Sequence, residues 1–188
     1  NHNGGYTGMT PADFADLVFD LAREEGCPRD LILLGGDHLG PNPWRHLPAD
    51  EAMEQACEMM EAYVSAGFRK LHLDASMGCA NEPGALDDET TARRAASLAK
   101  RAEETAAKSD LPLPLYIIGT EVPPPGGADH ALDEITPTAH DAARATIAVH
   151  HKIFTEHGLS EMLGRVIGLV VQPGVEFGNH NVIPYDTA

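Results

Sequence analysis

Leu31-Ile-Leu-Leu-Gly-Gly-Asp-His38 is a short apolar run that breaks into two glycines and then a carboxylate beside an imidazole. Four apolar residues bounded in this way predict a buried strand, with the polar cluster as the loop beyond its end. The same grammar recurs along the chain. Lys70-Leu-His-Leu-Asp74 runs into Ala75-Ser76, and Leu115-Tyr-Ile-Ile-Gly119 runs into Thr120-Glu121. Val166-Ile-Gly-Leu-Val-Val171 runs into Gln172-Pro-Gly-Val-Glu-Phe-Gly-Asn-His180.

Helical patterns separate these runs. Thr10 is placed to cap a first helix, with Pro11 at its first position and Asp13 three residues on. Phe14, Leu17, Val18 and Leu21 form its apolar stripe and Gly26 ends it. A second helix over about 50–66 presents Met53, Ala56, Cys57, Met60 and Val64 on one face. An Ala-rich helix follows from about Asp87 to Lys108. The last is capped by Thr138 with Asp141 three on, buries Ile147 and Phe154, and stops at Gly158. Strands separated by single helices imply right-handed βαβ units and a parallel sheet.

Two architectures share that alternation, a doubly wound open sheet and a (β/α)8 barrel. No GxGxxG turn joins any strand to its helix, which weakens the first. Polar clusters at the ends of several strands are how a barrel assembles a site. A barrel takes about 250 residues and eight strands; 188 residues with four strands therefore predict a segment of one. We expect residues 1–188 to be a single partial TIM-barrel domain truncated at both ends, whose open sheet edges favour self-association into an oligomer.

Composition narrows the function. Thirteen Lys and Arg against 29 Asp and Glu give a formal charge of −16, which repels phosphate backbones and argues against nucleic-acid binding. No apolar run approaches the ~18–20 residues that span a bilayer. Three scattered cysteines without a CxxC predict reduced thiols and a cytoplasmic location. There is no GxxxxGK[ST] cradle for ATP phosphates.

Candidate chemistry gathers at the strand ends. Asp37-His38 couples a carboxylate, able to act as acid or base, to the commonest metal-ligating side chain. His180, Asp74 and Glu121 lie at or beyond the ends of other strands, so in a parallel sheet they emerge on the same side as His38. Two imidazoles and two carboxylates can surround one divalent cation, although each taken alone is as well explained as a hydrogen-bonded strand-end residue. His72 shares a strand face with Asp74 one layer deeper, so it is either a core imidazole or a group that supports the site residues from behind, and the core reading is favoured. His140, His150, His151 and His157 share one helix without an HExxH pattern and read as solvated or packing residues. Pro123-Pro-Pro125 with Gly126-Gly127 is a stiff turn whose amides can approach a ligand or simply form a loop.

The stretches GGYTGMTPADF (4–14), LGGDHLGPNPW (34–44), LHLDASMGCA (71–80), IIGTEVPPPGG (117–127) and VVQPGVEFGNHN (170–181) resemble the Z-type subunit of class II D-tagatose-1,6-bisphosphate aldolase. Members of that family often carry the label tagatose-6-phosphate kinase. The resemblance implies a (β/α)8 barrel in which this chain runs from the second helix through the sixth strand. It implies further that Asp37 matches the catalytic acid/base of the related class II aldolases. His38 and His180 would then match zinc ligands, Asp74 and Glu121 carboxylates near the metal, and Asp129 a second acid/base. The chemistry implied is reversible aldol cleavage of a sugar phosphate, with zinc or another divalent ion as Lewis acid. The aldolases' third histidine comes from the seventh strand and their phosphate-binding glycine loops lie beyond residue 188. The family is regarded as a partner that a separate catalytic aldolase subunit needs for activity and stability in galactitol and tagatose catabolism. Three readings follow: a non-catalytic subunit of that complex, a metal-dependent aldolase in its own right, and the kinase of the label.

Overall fold

A computed structural model describes residues 2–5, 7–119, 137–177 and 182–183. The first helix, α1, spans Pro11–Glu24 and starts as its sequence predicts. The Thr10 hydroxyl accepts from the Asp13 amide at 3.2 Å, and the Asp13 carboxylate accepts from the Thr10 amide at 2.9 Å. Gly26 follows the helix with φ +70°, a conformation a side chain would oppose. The predicted stripe is not the buried face, however. Pro11, Ala15 and Ala22 are buried, whereas Phe14, Leu17 and Leu21 are each more than two-fifths exposed. Periodicity locates an apolar stripe without saying what covers it. Here the small residues face the rest of the described fold.

The first strand is displaced from its predicted place. Arg29–Leu31 forms a single 3₁₀ turn, Leu31 is 74% exposed, and β1 is Gly35–Leu39. The Leu34 carbonyl accepts from the Arg69 and Lys70 amides at 2.9 and 3.2 Å, which sets Gly35 opposite Lys70 in β2, Lys70–Leu73. The glycines belong to the strand because neighbours fill the space their side chains would take. A Cβ on Gly35 would lie 2.9 Å from Lys70 Cε, and one on Gly36 would lie 2.8 Å from Leu39 Cδ1 and 2.9 Å from the Tyr63 ring.

β3, Leu115–Ile118, and β4, Val166–Leu169, complete a four-stranded sheet in the order β1-β2-β3-β4, parallel throughout. Helices α2, Ala49–Ser65, α3, Asp88–Lys108, and α4, His140–Glu156, lie between successive strands and pack side by side in chain order. The result is the α/β alternation expected of the sequence. The core is made where α3 lays Ala92, Ala95, Ala96, Ala99, Ala102 and Ala106 inward, with Leu71, Leu73, Tyr116, Met60 and Leu98 filling the layer. Short side chains let the helix approach the sheet closely. Cys57 is buried on α2, as its face predicts.

Two details of α4 differ from expectation. Thr138 does not cap it; Ala139 takes that position without a side-chain bond. The Thr138 hydroxyl accepts from the Gln172 amide at 2.8 Å, while its own amide donates to the Gln172 carbonyl at 2.9 Å. It therefore ties the start of α4 to the segment after β4. His150, Ile153 and Phe154 form the buried face, and Ile147 is half exposed. A small antiparallel pair, β5 (Glu176–Phe177) with β6 (Val182–Ile183), has no counterpart in the sequence reading. Among the described residues no helix is long and apolar enough to cross a membrane.

Candidate functional site

The carboxyl ends of β1, β2 and β3 converge through a fault in the ladder. Gly36 pairs with Leu71 and Leu39 with Leu73, so β1 spends one residue more than β2 over the same stretch. This is a β-bulge, a device that bends a strand and re-aims its side chains. Asp37 and His38 are the bulged residues, and His38 takes a left-handed backbone with φ +51°. That conformation costs a residue with a Cβ about 1 kcal/mol.

The bulge brings His38 onto the end of β2. Its Nδ1 lies 3.1 Å from Asp74 Oδ2, where the ring N–H donates to the carboxylate. The two differ in exposure: the His38 side chain is 51% exposed, that of Asp74 only 5%. The other Asp74 oxygen accepts from the Ser76 hydroxyl at 3.2 Å. A buried carboxylate that orients a half-exposed imidazole fixes the ring's tautomer and aims its far nitrogen, the arrangement usual behind a metal-binding or proton-transferring histidine.

His72 is buried, as expected, but it is more than filling. Its Nδ1 accepts from the His38 amide at 3.3 Å, and its Nε2 lies 3.3 Å from the Gly119 carbonyl at the end of β3. The two imidazoles meet edge to face at 5.2 Å. Lys70, His72 and Asp74 alternate with the core residues Leu71 and Leu73, so β2 gives one face to packing and the other to polar groups.

Asp37 lies beside the cluster rather than within it. Its carboxylate accepts from Lys70 Nζ at 2.7 Å, and that hydrogen bond holds its pKa below the ordinary aspartate value. The loop after β2 is secured by Arg94, which donates to both Glu82 oxygens at 2.7 and 2.8 Å and to the Met77 carbonyl at 3.3 Å. Glu82 also accepts from the Cys79 amide at 2.8 Å. The Arg94 hydrogen bonds lower the Glu82 pKa below its ordinary value of 4.5. A depressed carboxylate adds stability that is complete above the ordinary value and is lost as pH falls through the depressed one. Glu82→Gln should therefore lower stability at pH 7 by about 1–2 kcal/mol and flatten its decline between about pH 5 and pH 3. Urea titrations across that range check both; an unchanged acid slope would sink the assignment.

Of the six residues singled out from sequence, the structure places Asp37, His38 and Asp74 and joins the last two directly. Glu121, Asp129 and His180 lie outside the described residues, as does the Pro123–Gly127 turn. Among the described residues no group of three or more His, Cys, Asp or Glu is arranged to hold a metal ion. On α4, His150 is buried with Nδ1 2.8 Å from the Thr146 carbonyl, and burial lowers its pKa; it packs rather than ligates. Sequence reasoning passed over Lys70, Ser76, Glu82 and Arg94. Only the period-2 alternation of Lys70, His72 and Asp74 pointed at a polar strand face.

The model of the GatZ/KbaZ-like family, described as D-tagatose-1,6-bisphosphate aldolase subunit, matches residues 1–188. A relative from Agrobacterium fabrum named D-tagatose 6-phosphate 4-epimerase is 61% identical over 99% of this chain and 44% of its own length. A crystal structure from Sinorhizobium meliloti 1021, described as a probable tagatose 6 phosphate kinase, superposes with a TM-score of 0.84 at 56% identity. It is covered over 99% of this chain and 43% of that one, so the chain spans less than half the length of either relative. By sequence along its whole length, this chain belongs to the GatZ/KbaZ-like family of D-tagatose-1,6-bisphosphate aldolase subunits.

Proposed function

We propose that the chain is part of a sugar-phosphate enzyme that inverts C4 of a ketohexose 6-phosphate by breaking and remaking its C3–C4 bond. In this reading the four-stranded sheet is an arc of a (β/α)8 barrel. The observation that carries it is the pairing of half-exposed His38 with buried Asp74 at the carboxyl end of a parallel sheet. A 61% identical relative named a 4-epimerase, within a family described as aldolase subunits, supports the same chemistry.

The two names meet in one reaction. A base takes the proton of the C4 hydroxyl, the C3–C4 bond breaks, and its electron pair passes to C3 as an enediolate conjugated with the C2 oxygen. C4 becomes the aldehyde of a three-carbon phosphate. An aldolase releases the fragments. An epimerase turns the aldehyde about C4–C5, lets C3 attack the opposite face, and returns the proton to the C4 oxygen, with no net oxidation. Asp37, held charged by Lys70, is the proposed carrier of that proton, and Asp74 holds the His38 ring in one orientation. The donors suit a divalent cation in kind: an imidazole whose Nδ1 is fixed by a carboxylate is the usual ligand form. His38 would hold it through its outer nitrogen, with His180 and the Glu121 carboxylate, while Asp74 stands behind the His38 ring. When bound, such a cation supplies a Lewis acid for the C2 carbonyl.

Full-length protein given D-tagatose 6-phosphate deuterated at C4 should form the C4 epimer with deuterium retained, and carbon-13 at C3 or C4 should slow turnover. Loss of deuterium, or no epimer at all, would overturn the reading. The family description favours a second one, a subunit that acts through a catalytic aldolase partner. Under it the chain alone is inert and added partner restores aldol cleavage.

A further inference from the structure

We propose that His72 is a positioning residue that holds His38 in its working orientation by hydrogen bonding to its backbone. The proposal rests on His38 being a site residue. The bulge removes the His38 amide from the β1–β2 ladder, because Gly36 and Leu39 take the pairings on either side of it. A hydrogen bond to that amide outside the ladder supports the left-handed turn at His38. His72 Nδ1 is the acceptor, at 3.3 Å. An amide N–H can only donate, so Nδ1 carries no hydrogen and the ring's one proton sits on Nε2. There it donates to the Gly119 carbonyl at 3.3 Å. Gly119 is itself constrained: its φ is +93°, and a Cβ there would lie 2.9 Å from the Val170 carbonyl. One buried imidazole thus links the bulge of β1, its own strand β2 and the last turn of β3. The His38 ring packs edge-on against it at 5.2 Å.

His38 is held from two directions by one strand. Asp74 fixes its ring and His72 fixes its main chain, two residues apart on the same face of β2. A buried apolar residue of the same size at position 72 would preserve packing but release the backbone of His38.

The test uses full-length protein and two variants. In the wild type, nitrogen-15 NMR should find His72 Nδ1 unprotonated and Nε2 protonated, with scalar coupling from the His38 amide to Nδ1. His72→Leu should speed exchange of the His38 amide about tenfold, the value of one hydrogen bond, and lower kcat about 10–100-fold with KM little changed. His72→Asn places a carbonyl oxygen where Nδ1 lies and should recover most of both losses. A merely structural role would lower stability in both variants without restoring kcat in the asparagine one. Protonated Nδ1, unchanged amide exchange in His72→Leu, or equal kcat in the two variants would overturn the proposal. Full activity in His38→Ala, with the His72 hydrogen bond intact by NMR, would instead overturn the reading of the site on which it depends.

Discussion

If the proposed C4 epimerisation is right, replacing His38 by alanine in the full-length protein should lower turnover of the ketose 6-phosphate by about a thousandfold, the scale of a lost acid–base or ligand group. The fold should survive, because the side chain is half exposed and its removal opens no buried space. Asp74→Asn is the more informative companion. The substitution keeps shape at a 5% exposed position, yet it removes the charge that holds Nδ1–H of His38. If the amide turns its NH₂ toward the ring, the imidazole must adopt the other tautomer and its outer nitrogen is no longer a lone-pair donor. We expect a loss of about 100-fold in kcat, as for the partners that stand behind ligating histidines elsewhere. Steady-state kinetics on both variants, with urea midpoints to confirm folding, check this. Wild-type turnover in either would remove the His38–Asp74 pair from the chemistry. Under the subunit reading, the same variants would instead leave a partner's aldol cleavage unchanged.

What could be read from sequence was what depends on neighbours along the chain. The Thr10–Asp13 capping box, the start of the Ala-rich helix near Asp87 and the glycines after α1 and α4 are local devices; that the Asp87 carboxylate caps its helix, accepting from the Thr90 amide at 2.9 Å, is added by the structure. The apolar stripe of α1 misleads because periodicity does not say which face the rest of the fold covers, and Phe14, Leu17 and Leu21 stay exposed. Leu31–Leu34 reads as a strand for a related reason. Gly35 and Gly36 look like a loop until Lys70 and Tyr63, some 30 residues on, are seen to occupy their side-chain space. Thr138 has the sequence of a cap it does not make, because the Gln172 amide engages its hydroxyl.

The site divides in the same way. That His38 and Asp74 emerge together follows from parallel strands with polar ends. That they touch depends on a one-residue bulge, and that in turn requires His38 to accept a left-handed backbone. Neither is encoded in composition or period. The shared strand face of His72 and Asp74 leaves a core imidazole and a residue supporting the site both open, and burial favours the first. The His72 hydrogen bond to the His38 amide appears only once the bulge in β1 is located.

The closeness of the two strand ends leads to the second large effect. A methyl group on Gly40 would lie 1.5 Å from the carbonyl oxygen of Asp74 and 2.7 Å from its carbonyl carbon. Both obstacles are backbone, and the Asp74 amide is bonded to the Leu39 carbonyl at 2.9 Å, so neither strand can yield by rotating a side chain. Gly40→Ala must push the end of β1 away from Asp74. The cost should be about 3 kcal/mol or more, at the upper end for overpacking. Gly84→Ala is the control, since a Cβ there has nothing within 4 Å and no left-handed φ is required. It should be neutral or slightly stabilising, by about 0.5 kcal/mol. The separation that destabilises Gly40→Ala also carries Asp74 away from His38, so whatever folded protein remains should lose turnover as steeply as Asp74→Asn does. Urea midpoints and turnover per folded molecule distinguish the two effects. A Gly40→Ala protein as stable as Gly84→Ala would mean that β1 and β2 stand further apart at Asp74, and the His38–Asp74 contact would fall with that result.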